Sequence, residues 1–420
     1  MEEITSKIAW KHLNEDNQFS RWKSFVSRSE NGVTLAIPEN AQKITKNDKI
    51  FCIGSCFAKN IQNKLVDKDF CVLSHPNFAP TKPAPFSELP NIFNIKSIVN
   101  EFRWSLNPQQ TKPPEASFVT DTQSFFYDPS SSVDKFRDSK EHVYNTRKGV
   151  TENLKRLKEC NIIILTLGLV EVWYDTTIGI YLNSTLPQFI MDKEPDRYVL
   201  RVLNYNDCRE SLEEIKGLLQ QFGAPNTSIF LSVSPVPLIA TFKQVDVLIA
   251  NTYSKSTQIA AALDFSNSHE NVFYVPSFES VTNSARSFSW QNDLRHPTNK
   301  IISKVTDMFL DGNAAIANNT PADLVDGEAE PLSDWPTIKT ETFIHPNIPK
   351  FTSAHEGDED FPSGFPIVSA SSTLALEHNA NALMSPTKRI WHAQSPPQYP
   401  EILVLKFKKK LLVKTVFIQS

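Results

Sequence analysis

The stretch KIFCIGSCFAKNIQNKL, Lys49–Leu65, decides the fold. Ile50 to Ile53 is a short apolar run of strand-forming residues, and it stops at Gly54. Helix-like sequence follows at once, with Ala58, Ile61 and Leu65 spaced so that they share one face. A strand that hands over to a helix through a single glycine is the opening half of a β-α-β unit. Two nucleophilic side chains, Ser55 and Cys56, stand at the handover.

Working outward, further short apolar runs occur at Ile162–Leu167, Ser228–Val233 and Val272–Val275, with a weaker strand-like run at Phe70–Leu73. Each has the continuous Ile, Val, Leu and Phe content of a strand buried on both faces. Helical stripes lie between them. In Cys208–Phe222, Leu212, Ile215, Leu218, Leu219 and Phe222 fall on one face, Thr151–Cys160 carries Leu154 and Leu157, and Ile301, Ile302, Val305, Met308 and Phe309 form another stripe. This alternation predicts an α/β fold: a parallel central sheet with helices on both faces, three layers in all. Residues 78–139 are less regular, rich in Pro and Ser with interleaved aromatics. They are expected either to cover the sheet's C-terminal edge or to pack as a long insertion.

Composition bounds the function. The 420-residue chain has room for two or three domains, and its 43 basic against 47 acidic residues leave no basic stripe for nucleic acid. No apolar run is long enough to span a membrane. The polar start MEEITSKIAWKHL lacks the basic and apolar regions of a signal peptide, so a cytoplasmic location is expected. Cys52, Cys56, Cys71, Cys160 and Cys208 are odd in number, lie in apolar contexts and form no C-x-x-C pair. Reduced thiols are expected, with neither a disulfide framework nor a structural zinc site. The sequence has no phosphate-binding glycine loop, and no cofactor is expected. It is silent on oligomeric state.

The chemistry suggested at the handover is nucleophilic catalysis. A serine hydroxyl needs a base to take its proton and a third group to orient that base. A strand-to-helix turn exposes the serine at the sheet edge, and backbone N–H groups and the helix dipole are there to stabilise an oxyanion. The stretch WQNDLRHPTNKII supplies the other parts, because Asp293 and His296 form D-x-x-H just before the last helical stripe, a spacing at which the carboxylate can hold the imidazole. Cys56 is the rival nucleophile, since a helix N-terminus activates a thiol. Adjacent side chains point apart, however, so if Ser55 faces the cleft, Cys56 packs inside. His75 and His142 read as loop and surface residues. Ser232 and Ser234, in the proline-flanked SVSPVPL, end a strand on the same edge and are candidates to touch substrate. Tyr253 and Lys255, in NTYSKS, read either as ligands for an anion or as the capped start of a helix.

A serine after the first strand and D-x-x-H before the last helix is the layout of SGNH/GDSL hydrolases. More closely, IGSCFAKNI resembles the signature of the GSCFA family, placed within that superfamily. LTLGLVEVWYD (Leu165–Asp175), SVSPVPLIATF (Ser232–Phe242), LIANTYSKS (Leu248–Ser256), YVPSFESV (Tyr274–Val281) and DLRHPT (Asp293–Thr298) follow in the same order over roughly residues 40–310. The resemblance implies a flavodoxin-type SGNH fold, with Ser55 as nucleophile, His296 as general base and Asp293 as its orienter. It implies Gly54 and the Ser55 N–H at the oxyanion, with Gly168 as the glycine of the family's third block. The pattern departs after Gly168. Where SGNH enzymes carry an oxyanion-binding asparagine, this chain has Leu169, Val170 and Glu171, and an ionised Glu171 has no proton to donate. Glu171 is then expected to bind a substrate hydroxyl or to serve another role.

Domains are expected at 1–315 (the α/β domain), 316–360 (a Pro- and acid-rich linker) and 361–420. In the last, Ile402–Phe407 and Leu411–Ile418 read as strands, and the segment with Trp391 resembles part of a discoidin-like, galactose-binding-type β-sandwich, cut short at Ser420. The expected function is ester hydrolysis through an acyl-Ser55 intermediate, with a small-molecule or glycan ester as partner. The alternatives are O-acyl transfer to a glycan by the same triad and a non-catalytic ligand-binding module of the same fold.

Overall fold

The structure is a computed structural model. It describes residues 3–16, 19–29, 32–38, 42–78, 89–110, 118–120, 125–131, 138–223, 225–317, 367–369 and 404–406. The chain divides into two units, Met1–Ala329 and Glu330–Ser420.

The first unit is built on a five-stranded parallel sheet: β1 (Lys49–Gly54), β2 (Cys71–Val72), β3 (Ile162–Leu167), β7 (Ser228–Val233) and β8 (Val272–Tyr274). In space the order is β2-β1-β3-β7-β8. The strand order therefore reverses between β1 and β3, and in open α/β sheets ligands bind beyond the strand C-termini at such a point. The register is Ile50↔Ile162 through Gly54↔Thr166 between β1 and β3, and Ile162↔Ser228 through Leu167↔Val233 between β3 and β7.

Alternate residues of each strand enter two separate cores, as period-two side chains must. Phe51, Ile53, Ile163, Leu165 and Leu231 pack with helices α2 (Ile95–Leu106), α3 (Lys140–Leu154), α4 (Tyr205–Phe222) and α5 (Val247–Asn267). Ile50, Cys52, Ile162, Ile164 and Phe230 pack on the other face with α1 (Cys56–Asp67) and α6 (Asn299–Ala317). This is the three-layer α/β architecture expected from the apolar runs, with strand ends shifted by a residue or less.

Three elements differ from the sequence reading. Within the irregular region, α2 is a capped, buried helix: the Asn94 side chain accepts from Ser97 N, and Phe102 and Trp104 are core residues rather than loop aromatics. The helix expected at Thr151–Cys160 starts earlier, at Lys140, and a 3₁₀ turn (Lys155–Glu159) leads into β3. The small antiparallel sheet of β4 (Glu171–Asp175), β5 (Ile180–Tyr181) and β6 (Tyr198–Val202) was not anticipated, and it grows directly out of the loop after Gly168.

In the second unit, Ile367–Ser369 and Val404–Lys406 pair antiparallel, with Ile367 opposite Lys406. The strand expected at Leu411–Ile418 and Trp391 lie outside the described residues, as does the linker after residue 317.

Candidate active site

The β1–α1 turn is tight for stated reasons. Gly54 sits at φ +140°, and a Cβ there would lie 2.2 Å from the Thr166 carbonyl oxygen and 2.6 Å from its hydroxyl. Only glycine fits that backbone and that approach. Ser55 follows as the N-cap of α1, and its Oγ accepts from the Phe57 N–H at 3.3 Å. The Ser55 N–H points to the Thr166 carbonyl at a long 3.4 Å, so in this geometry it is directed at protein rather than into open space. Ser55 is buried, and Cys56 is half-buried. Burial pushes the Cys56 thiol up from its ordinary value, against the opposing pull of Arg295 and Lys255.

The loop before α6 forms the second part. Asp293 Oδ1 accepts from the backbone N–H groups of Arg295 (2.9 Å) and His296 (3.0 Å), which folds the segment into a local turn. Leu294, inside it, takes φ +54°, a strained backbone for a leucine. The other oxygen, Oδ2, lies 2.5 Å from His296 Nδ1. Burial works against the Asp293 carboxylate, but the backbone N–H of His296, its ring and the N–H of Arg295 outweigh it and hold the group down at about 2. Arg295 Nη1, always a donor, lies 3.1 Å from His296 Nε2. These two partners, an acceptor at Nδ1 and a donor at Nε2, fit the tautomer with its proton on Nδ1 and a lone pair on Nε2, the one a general base needs. Among the described residues, no hydrogen bond joins Ser55 Oγ to His296.

Gly168 lies just beyond β3. A Cβ there would stand 2.3 Å from the Phe93 carbonyl oxygen, whose other neighbour is the Leu169 N–H at 2.9 Å. Glu171 is engaged by protein: Oε1 accepts from the Thr241 hydroxyl at 2.6 Å and Oε2 from the Phe242 N–H at 2.9 Å, tying the loop after β7 back to β4. Ser234 is buried, with its Oγ accepting from Val236 N–H, and Ser232 Oγ donates to Ser277 Oγ. Both serines shape the loop. His75 Nδ1 accepts from Asn77 N–H, and His142 is exposed on the first turn of α3.

Two cations complete the turn's surroundings, the first of which the sequence reading passed over. One is Arg295, within D-L-R-H. The other is Lys255, read either as a ligand for an anion or as the capped start of a helix. The helix begins eight residues earlier, at Val247, capped by Asp246, so Lys255 lies two turns in and on the buried face with Gln258, Ala262 and Phe265. Its i, i+3, i+7, i+10 position on that stripe was the available signal. Lys255 Nζ lies 2.7 Å from the Gly168 carbonyl oxygen, which Gln258 Nε2 also approaches at 3.2 Å. Among the described residues, no group of three His, Cys, Asp or Glu side chains is arranged to hold a metal.

The family model for the GSCFA family matches residues 49–309, more than half of the chain. The chain belongs to the GSCFA family. No curated protein and no solved structure matches it. The GSCFA match opens on the first residue of β1 and closes inside α6, so it contains Ser55, Gly168, Lys255, Asp293 and His296, and it leaves the second unit outside. No helix among the described residues of this GSCFA protein is long and apolar enough to cross a membrane.

Proposed function

We propose that this protein is a serine hydrolase of SGNH type, acting on an O-acyl ester through Ser55, with His296 as base and Asp293 as its orienter. The observation that carries the reading is the Asp293–His296 pair, with the ring proton directed to the carboxylate and the Nε2 lone pair free of a proton. In support, the loop leads directly into α6, which packs with α1 on one face of the sheet.

In the first step His296 Nε2 takes the Ser55 hydroxyl proton while Oγ bonds to the acyl carbon and the carbonyl π pair moves onto oxygen. Collapse of that anion breaks the bond to the alcohol, which leaves with the proton from His296. Water repeats the sequence and releases the carboxylic acid, whereas a sugar hydroxyl in its place gives acyl transfer. For this to occur Nε2 must exchange Arg295 for Ser55. The discoidin-like resemblance of residues 361–420 is the ground for naming an acylated carbohydrate as substrate, and the five free cysteines support a reducing, cytoplasmic setting.

A second reading has specific support. Ser55 Oγ caps its own helix, Nε2 is covered by Arg295, and Glu171 replaces the expected donor with a carboxylate committed to a loop. These suit a ligand-binding module that keeps the fold. Intact-mass labelling with a fluorophosphonate separates the two. Labelling of wild type and Cys56→Ala, lost in Ser55→Ala and His296→Ala, is expected of the hydrolase. Folded wild type that takes no label sinks that reading and favours the module.

A further inference from the structure

Lys255 is 2% exposed and has no carboxylate partner among the described residues. Among the described residues its one hydrogen bond is to the Gly168 carbonyl, which leaves two of the three ammonium donors uncommitted there. Burial pulls this amine down to about 7; Cys56 opposes that shift and Arg295 adds to it. A structural staple for the Gly168 carbonyl does not need a charge, because the neutral amide of Gln258 already reaches the same oxygen. Burial is answered by easier loss of the proton, and an anion arriving beside the amine would restore its charged form and meet the donors that Gly168 leaves uncommitted.

The register says where that anion would sit. Thr166 is the Cα partner of Gly54 and its carbonyl receives the Ser55 N–H, so Gly168, two residues on, lies just past the Ser55 turn at the reversal point of the sheet, and Lys255 and Cys56 interact electrostatically across it. The ammonium that reaches the Gly168 carbonyl is therefore held at the Ser55–Cys56 turn. That is also the block from which the expected asparagine donor is missing.

We propose that Lys255 is the anion-stabilising residue of this cleft, its ammonium holding the negative charge that an ester carbonyl oxygen develops at the Ser55 turn. The identity of the anion rests on the serine-hydrolase reading, and the placement of the charge does not.

The test uses the full chain as wild type, Lys255→Met and Lys255→Arg. The Cys56 thiolate serves as an anion formed at the same turn. Its alkylation by the uncharged reagent iodoacetamide at pH 7 is followed peptide by peptide, with Cys71, half-buried at the opposite end of the sheet, as internal control. Loss of the ammonium lowers the thiolate fraction, and the expected Cys56 rate falls by about three- to tenfold in Lys255→Met. Lys255→Arg keeps the rate, and Cys71 does not change. Fluorophosphonate labelling of Ser55, measured on the same samples, slows by about 10²–10³-fold in Lys255→Met, the scale of losing one oxyanion donor. An unchanged Cys56 rate overturns the proposal whether or not Ser55 labels. A slowed Cys56 with Ser55 labelling unaffected overturns the catalytic role. Slowed Cys56 in a protein whose Ser55 never labels sinks the hydrolase reading and supports an anion-binding cleft. If Lys255→Met melts early, Lys255→Gln, an uncharged donor to Gly168, takes its place in every arm.

Discussion

At Gly54 two constraints coincide: a backbone at φ +140° and a neighbouring carbonyl 2.2 Å from where a Cβ would stand. Gly54→Ala adds backbone strain to a backbone clash that no side-chain rotamer relieves. It is expected to cost about 2–5 kcal/mol, read as a lowered urea midpoint at unchanged m-value. Gly217, on the open side of α4 with no atom near its Cβ position, is the control, and Gly217→Ala should stabilise by about 0.5–1 kcal/mol. At Asp293 the issue is orientation. Asp293→Asn keeps an acceptor for the two backbone N–H groups but can present its NH₂ to the ring, favouring the tautomer with the proton on Nε2. A drop of about 10⁴-fold in Ser55 labelling, with little change in melting temperature, is the expected result. Equal labelling of the two proteins would remove Asp293 from the mechanism.

At the scale of elements, the outer layer is pinned by charges of very different worth. Arg147 on α3 donates to Asp128 at 2.6 Å, to both oxygens of Glu101 on α2 at 2.7 and 2.9 Å, and to Ser131 at 2.8 Å, with all three charged side chains buried. Burial disfavours the guanidinium charge, and the two carboxylates outweigh it. Arg147→Met leaves two buried carboxylates uncompensated and should cost about 3–5 kcal/mol in chemical denaturation. Arg103 pairs with Glu214 between α2 and α4 in a half-exposed setting, and Glu214→Gln should cost no more than about 1 kcal/mol. Comparable losses in the two variants would mean that the buried cluster is not what docks α3 on α2.

For the whole molecule, buried titratable groups set the pH profile of stability. Lys255 has a folded value near 7 against about 10.4 unfolded, so between those values the unfolded chain binds more protons and stability rises with pH. Buried thiols act in the opposite sense. Cys160 and Cys208 are raised to about 12 by burial, and Cys52 is raised too, so above about pH 8.5 only the unfolded chain ionises them and stability falls. A maximum near pH 8 is expected in urea midpoints taken across pH, and Lys255→Met should flatten the rise that leads to it. On the acid side Asp293, depressed to about 2, contributes stability above about pH 4 that is lost as pH falls toward 2. Its partial exposure keeps that share small. Among the described residues, both cores draw their buried side chains from between Val33 and Phe309, so a chain ended at Ala329 should keep its melting temperature within about 2 °C.

The sequence by itself determined the sheet and marked two local turns of the candidate site. Its apolar runs marked all five strands because a strand buried on both faces must be apolar throughout, whatever its neighbours. The glycine handover at Ser55 and the Asp293–His296 turn were legible for a similar reason: each is closed by contacts within three residues. Tertiary structure decided the rest. Helix α2 was obscured by the proline- and serine-rich sequence around it, and its aromatics found their core only through packing against α4 and the sheet. The carboxylate of Glu171 was taken by a loop 70 residues on, and Lys255 reached the Gly168 carbonyl from 87 residues away. Which way a helix rolls and where a loop returns depend on partners distant in the chain, and spacing within one segment carries no record of them. The Ser55 turn could therefore be found by reading and Lys255 could be named as one of two readings, while its burial against the Gly168 carbonyl was decided only by folding.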